Sequence, residues 1–406
     1  MKIKKKVIAL LLLSVTAFSL SSCVLYNTVS DLSSSSQQTQ VGDVEVNVGE
    51  IKNHDITINS TETQSEVAVA KALMCSVSIR TSAASGSGVI YSMSEDKSEA
   101  YVLTNYHVLY DSSIRRISPK INVFLYGMES YLYNDSAPSY AISAEYIGGS
   151  LKYDLALIRI KGSKVLMESC ATACEFADSN KVNILETAIA VGNATGKGIS
   201  ATLGKINVDS ENILLSAADE RTDFTLRVMR TDAAVNSGNS GGGLFNSEGK
   251  LIGIVNAKSA SSTADNIGYA IPSNVVKYIA ENILFYCKDT NYEHVYRCML
   301  GITVGVESLY TEYDEEKGVI YRKERVKVSG VKSASSAAYG ILYSGDIINS
   351  ITIDGVTYEV SRTFHVIDAM LNARVKSKVT LNVTRGSETL DLDVTFTSDD
   401  VFNADS

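Results

Sequence analysis

The sequence predicts a mainly β chain folded as two domains, and three observations point there. Short segments rich in Val, Ile and Tyr recur between turns of Gly, Ser, Asn and Asp. The chain has 406 residues, 45% hydrophobic and 20% charged, which supplies ample core-forming surface and exceeds the length of a single core. After a polar and aromatic stretch at 287–297, the strand-type pattern starts again. Many short strands with few helices imply sandwiches or barrels.

The elements follow in order. Lys2, Lys4, Lys5 and Lys6 precede an apolar run at 7–20 whose length suits the core of an export signal and is short for a membrane span. It closes on Leu20-Ser21-Ser22-Cys23, which resembles the lipobox of bacterial lipoproteins, where cleavage precedes a lipid-bearing Cys. The polar stretch 31–40 lacks an apolar period and reads as a flexible tether. A short helix is expected at 66–74, then strands at 75–80, 88–92, 100–104, 121–126, 141–147, 154–160, 188–191 and 251–255. Apolar residues at helical spacing over 274–286 predict a closing helix after Pro272. In the second domain, strands are expected at 318–321, 346–353, 379–383 and 390–396, with a helix at 363–373. The resulting division is 1–22 leader, 23–65 tether, 66–290 first domain and 298–397 second domain.

Composition excludes several functions. A net charge of −9 removes the electrostatic basis for a general nucleic-acid binder. The four histidines, at 54, 107, 294 and 365, are too few for a site built on several imidazoles. No Cys pair has zinc-site spacing with a His partner, so no metal is expected. With Cys23 acylated, an odd set of cysteines remains, and Cys287 and Cys298 read either as a bridge at the domain junction or as buried thiols.

One glycine cluster surrounds a hydroxyl: Asn236-Ser237-Gly238-Asn239-Ser240-Gly241-Gly242-Gly243. Glycines there permit two backbone N–H groups to converge near the Ser240 oxygen, which describes an oxyanion hole. A Ser hydroxyl needs a base to remove its proton, and the base needs a carboxylate to orient it. His107 ends one apolar strand and Asp154 opens another, 47 residues later and 86 before Ser240. The chain order His, Asp, Ser is that of the chymotrypsin class.

On these residues the chain resembles the HtrA, or Deg-type, serine proteases. Gly86-Ser87-Gly88-Val89-Ile90, the segments around His107 and Asp154, Ala190-Val191-Gly192-Asn193, Thr231-Asp232-Ala233-Ala234-Val235 and Ile267-Gly268-Tyr269-Ala270-Ile271-Pro272 run colinearly with that family. Gly340-Ile341-Leu342-Tyr343-Ser344-Gly345-Asp346 and Asp354-Gly355 are similar to the PDZ domain that follows the protease there. The resemblance implies a chymotrypsin-like double six-stranded β-barrel with its site between the barrels, followed by a PDZ-like α+β domain. It implies Ser240 as nucleophile, His107 as general base and acid, and Asp154 as orienting carboxylate. The loop Gly238, Asn239 and Ser240 would form the oxyanion hole through the N–H groups of Gly238 and Ser240.

The same resemblance implies a substrate pocket from Ala234, Asn256, Ala257, Ile267 and Gly268, where the small Ala234 suits small aliphatic side chains. It implies Leu300, Gly301 and Ile302 as the loop receiving a peptide carboxylate, and Lys258 near the pocket or simply solvated. No cofactor is implied. The expected partners are unfolded proteins, C-terminal peptides at the second domain, a membrane through the lipid on Cys23, and two further copies in a trimer. Ser237 stands where the family often has Pro, a departure expected to loosen the oxyanion loop. Asn239 replaces the Asp that pairs with a freed N-terminus in zymogen-type enzymes. A second reading is a catalytically silent, chaperone-like lipoprotein.

Overall fold

The computed structural model describes residues 61–128, 140–257, 267–288, 290 and 293–405. The leader, Cys23 and Lys258 lie outside them.

Helix α1 (Thr61–Met74) leads into β1 (Ser76–Arg80), β2 (Ser85–Met93) and β3 (Glu99–Thr104), then the single turn α2 (Tyr106–Leu109). β4 (Ile121–Leu125), β5 (Ile142–Ser150) and β6 (Leu155–Lys161) complete a closed six-stranded barrel in the order β1-β2-β3-β6-β5-β4. β7 (Thr187–Gly192), β8 (Ser200–Ser216), β9 (Asp223–Thr231), β10 (Gly243–Phe245), β11 (Leu251–Val255) and β12 (Gly268–Pro272) close a second barrel in the order β8-β9-β12-β11-β10-β7.

Alternation along the strands explains how the barrels join. In β6, Ala156, Ile158 and Ile160 fill the first barrel with Val77, Ile90 and Val123. Leu155 and Leu157, on the opposite face, join a shared core with Val191, Phe245 and Ile254 of the second barrel. Both faces of the strand are therefore dry, which is why 155–158 reads as an unbroken apolar run before Arg159. Helix α3 (Ser273–Tyr286) seals this core with Val276, Ile279 and Ile283, all inaccessible to solvent.

The hairpin of β8 and β9 is absent from the sequence expectation. β8 is exposed over much of its length and its register with β9 shifts at two points, so no clean apolar alternation marks it. The short β10 and the strand β12 were also not anticipated as separate elements.

Beyond α3, the ribbon strand β13 (Tyr296–Cys298) precedes the second domain. Its sheet consists of β14 (Ile302–Asp314), β15 (Val319–Val331), β16 (Ile347–Ile353), β17 (Val356–Glu359), β18 (Val379–Arg385) and β19 (Glu388–Val394). They run in the order β14-β15-β16-β18-β19, with β17 beside β16. Helix α4 (Thr363–Met370) packs Val366, Ala369 and Met370 over Val326, Ile351 and Leu381. β20 (Val401–Asn403) returns to pair with β13.

The two domains meet at α4, the residue that follows it and β17. Arg227 of β9 pairs with Asp368, Asn282 Nδ2 donates to the Leu371 carbonyl at 3.1 Å, and Tyr278 meets Tyr358 edge-on at 5.9 Å. Cys287 and Cys298 are free, so of the two readings the buried thiols hold. Burial pushes them up to about 12 and about 11, and Cys287 donates to the His294 carbonyl at 3.2 Å. No helix of the described residues is long and apolar enough to cross a membrane, and among them no cluster of potential metal ligands occurs.

Candidate active site

The site lies between the barrels, because each predicted residue sits at the barrel junction. His107 is in α2, immediately after β3; Asp154 is in the turn between β5 and β6; Ser240 is in the loop between β9 and β10. His107 Nδ1 lies 2.6 Å from Asp154 Oδ2, and the His107 backbone N–H donates to Asp154 Oδ1 at 3.0 Å. Asn256 Nδ2 donates to Asp154 Oδ2 at 2.9 Å. The carboxylate is thus buried, 3% exposed, with donors on both oxygens, which offsets the desolvation of its charge. Asp154 has φ of 48°, a left-handed conformation that Asp tolerates better than most side chains. Its carbonyl accepts from Asn105 Nδ2 at 2.9 Å and from the Tyr106 N–H at 3.2 Å.

Ser240 Oγ accepts the Ala257 N–H at 3.3 Å. Among the described residues no hydrogen bond joins this hydroxyl to the His107 imidazole. Such bonds are often long in unliganded enzymes and tighten when substrate fills the cleft.

Around Ser240 the backbone is held by the first barrel. Ser87 N–H donates to the Ser240 carbonyl at 2.8 Å, and Ser87 Oγ donates to the Gly238 carbonyl at 2.7 Å while accepting the Asn193 N–H at 2.7 Å. Gly241 has φ of 82°, and a Cβ there would stand 2.3 Å from the Ser87 carbonyl, so only glycine fits.

The Ser237 carbonyl accepts the Thr195 N–H at 2.8 Å. In a trans peptide the following N–H points the opposite way, so the Gly238 N–H is turned away from Thr195. Neither the Gly238 nor the Ser240 N–H has a partner among the described residues, whereas Asn239 N–H is bonded to the Asn236 carbonyl at 3.0 Å. Within the predicted trio, Gly238 and Ser240 are the available donors and Asn239 is not one.

The pocket residues are placed unevenly. Ala234 is exposed, and its carbonyl accepts Thr202 Oγ1 at 2.9 Å. Ile267 is half-buried, and Gly268 in β12 is buried against Val235. Asn256 is 1% exposed, and its side chain lies on Asp154. In the second domain, the Leu300 carbonyl accepts the Ala338 N–H at 3.1 Å, Gly301 has φ of 71°, and Ile302 opens β14. β14 is the edge of its sheet and α4 packs beside it.

Sequence reasoning quoted Ser87 and Asn193 only as parts of a pattern and gave no role to Thr104 or Asn105. Their signal is a polar residue in an otherwise apolar strand end: all four are buried, and Thr104 Oγ1 donates to the Ser87 carbonyl at 2.7 Å.

The comparisons with known proteins align with this geometry. The model of the trypsin-like peptidase domain matches residues 86–254 and that of the PDZ domain matches 299–396. Serine protease Do-like HtrA of Lactococcus lactis is 31% identical, over 77% of this chain and 73% of its own length. The chain belongs to the HtrA family of serine proteases. Serine protease Do-like HtrA of Bacillus subtilis is 34% identical over 50% of this chain, which spans 40% of that relative. Among solved structures, the HtrA-type protease AlgW with tripeptide superposes with a TM-score of 0.51 at 26% identity, covering 82% of this chain and 96% of that one. The two barrels are therefore the chymotrypsin-like protease domain of an HtrA protein, and the sheet with α4 is its PDZ domain.

Proposed function

We propose that the chain is a serine endopeptidase that hydrolyses unfolded or misfolded proteins of the cell envelope. One observation carries it: His107 Nδ1 rests 2.6 Å from a buried Asp154 carboxylate, at the junction that also holds the Ser240 loop. In this reading Asp154 fixes the tautomer that leaves Nε2 free to accept a proton. Ser240 Oγ attacks the scissile carbonyl carbon, its proton passes to His107 Nε2, and the carbonyl oxygen becomes an oxyanion. The N–H groups of Gly238 and Ser240 receive that charge, a contribution of roughly 3–4 kcal/mol per donor in comparable sites. Collapse breaks the C–N bond as His107 returns the proton to the leaving amine. Water, activated by the same imidazole, then releases the acyl group and restores Ser240.

Gly238 bears on the silent alternative. The tie between the Ser237 carbonyl and Thr195 N–H supports an oxyanion loop set for catalysis, despite Ser where Pro is common. Asn239, uncharged and buried, supports activity without propeptide cleavage. The edge of β14 beside α4 supports binding of extended C-terminal peptides by strand addition, with Leu300, Gly301 and Ile302 at the carboxylate. The leader and Cys23 support export and lipid anchoring, and family membership supports a trimer.

A fluorophosphonate probe tests the reading. Covalent labelling that maps to Ser240 and vanishes in Ser240→Ala is expected, together with cleavage of denatured casein after small aliphatic residues. A wild-type chain that neither labels nor cleaves casein refutes it.

A further inference from the structure

The turn that carries Asp154 is gripped from outside its barrel, by a segment that lies beyond the PDZ fold. Ser150 Oγ donates to Asp405 Oδ1 at 2.5 Å, and the Lys152 N–H donates to the same oxygen at 3.0 Å. Ser150 Oγ in turn accepts the Tyr153 N–H at 3.1 Å. A chain of hydrogen bonds thus runs from Asp405 to the residue before Asp154.

Asp405 is itself fixed. β20 pairs with β13 in the register Tyr296 to Asn403, Arg297 to Phe402 and Cys298 to Val401. The Ala404 N–H donates to the Val295 carbonyl at 2.9 Å, and Ala404 is buried in the core shared by the two barrels. The Asp405 N–H donates to Asn403 Oδ1 at 2.8 Å. The segment entering the ribbon also holds the strand that leads into the turn, where the Gly149 N–H donates to the Glu293 carbonyl at 3.0 Å. His294 Nδ1 lies 3.7 Å from Asp405 Oδ2.

An acidic side chain only 12% exposed carries a desolvation cost, offset here by donors that all belong to, or lie next to, this turn. The turn needs holding, because Asp154 sits at a positive φ, and the 2.6 Å contact to His107 depends on where the turn places its carboxylate. We propose that Asp405 is a positioning residue for the catalytic carboxylate, fixing the Ser150–Asp154 turn through Ser150 Oγ and the Lys152 N–H. The claim rests on the reading of His107, Asp154 and Ser240 as a catalytic triad. It also gives the segment after the PDZ fold a part in the protease site.

The test compares Asp405→Ala and Asp405→Asn in the full chain, with active sites counted by fluorophosphonate titration. Asn retains the acceptor oxygen; Ala removes it. Asp405→Ala is expected to lower kcat per titrated site roughly ten- to a hundredfold, the scale of misplaced catalytic groups, with KM within about twofold. Asp405→Asn is expected to restore most of the rate. The low-field proton resonance of the His107 Nδ1–H to Asp154 bond should broaden or vanish in Asp405→Ala and persist in Asp405→Asn. Fewer titrated sites with unchanged kcat per site would show a purely structural role and overturn the proposal, as would an unchanged low-field resonance in Asp405→Ala. If the wild-type chain proves inert, the protease reading fails separately, and the resonance still decides whether Asp405 places Asp154.

Discussion

Asn256 Nδ2 lies 2.9 Å from Asp154 Oδ2, the same oxygen that meets His107 Nδ1 at 2.6 Å. Two barrels therefore converge on one atom: Asn256 follows β11 of the second, and His107 and Asp154 belong to the first. An amide donor on that oxygen limits its swing about the carboxylate axis and so fixes the direction in which the imidazole is held.

Replacing Asn256 with Ala leaves a buried carboxylate with one donor fewer. Charge-assisted bonds of this kind contribute about 1.5–3 kcal/mol, so kcat is expected to fall at least about tenfold with KM little changed. Steady-state kinetics on a fluorogenic peptide read the outcome. A variant with wild-type kcat would show that Asp154 holds His107 unaided.

Gly238 has φ of 97°, and a Cβ built there would stand 2.3 Å from the Asn193 carbonyl. Gly238→Ala therefore cannot keep this loop, and the peptide that presents the Gly238 N–H has to rotate or shift. Loss of a single oxyanion donor lowers kcat about 10²- to 10³-fold in comparable enzymes, and that range is expected here. Circular dichroism should remain that of the native barrels, since neither β9 nor β10 includes the residue. Full activity in Gly238→Ala would move the oxyanion site elsewhere.

The legible parts of this protein are those where one residue type has few physical substitutes. Glycines packed around Ser240 and an imidazole at a strand end announced the site, because left-handed turns and proton transfer at neutral pH each admit few side chains. β6, dry on both faces, was plain in its run of Leu, Ala and Ile. The β8–β9 hairpin was not, since its exposed residues and register shifts erase the period of two. Asn256 entered the pocket set through the family resemblance alone, while the direction of its side chain, onto Asp154, is a tertiary fact. Asp405 gave no local signal at all: its partners Ser150 and Lys152 are 255 and 253 residues away.

His365, on α4, is held down at about 4 by burial first, then by the cations Arg227 and Arg362, with Asp178 and Glu324 pulling weakly the other way. Its folded value lies below the ordinary 6.5, so between those two values the unfolded chain binds more protons than the folded one. Stability is therefore expected to fall as pH drops through that window, by an amount on the order of 3 kcal/mol at most. Asp368, raised by burial, contributes a slope of the opposite sign, so the difference between wild type and His365→Gln isolates the imidazole. Gln stays neutral and can still accept the Ser361 N–H that His365 Nδ1 accepts at 3.2 Å. Urea unfolding from about pH 7 to 4.5 reads the comparison. Parallel curves for the two proteins would count against a buried neutral His365.

Arg227 of β9 carries a charge across the domain contact. It pairs with Asp368 and lies 4.0 Å from the centroid of the Phe364 ring, and both charged side chains are nearly dry, 12% and 11% exposed. Removing one member of such a pair strands the other charge, whereas replacing both with apolar side chains removes the desolvation cost along with the attraction. Arg227→Met alone is therefore expected to destabilise the full chain by about 3–5 kcal/mol, while Arg227→Met combined with Asp368→Leu should lie near wild type or above it. Denaturant unfolding of the two single variants and the double variant closes the cycle and yields the coupling. A double variant as damaged as the sum of the singles would mean that the pair contributes through its surroundings, the Phe364 contact foremost, and not through the partnership of the two charges.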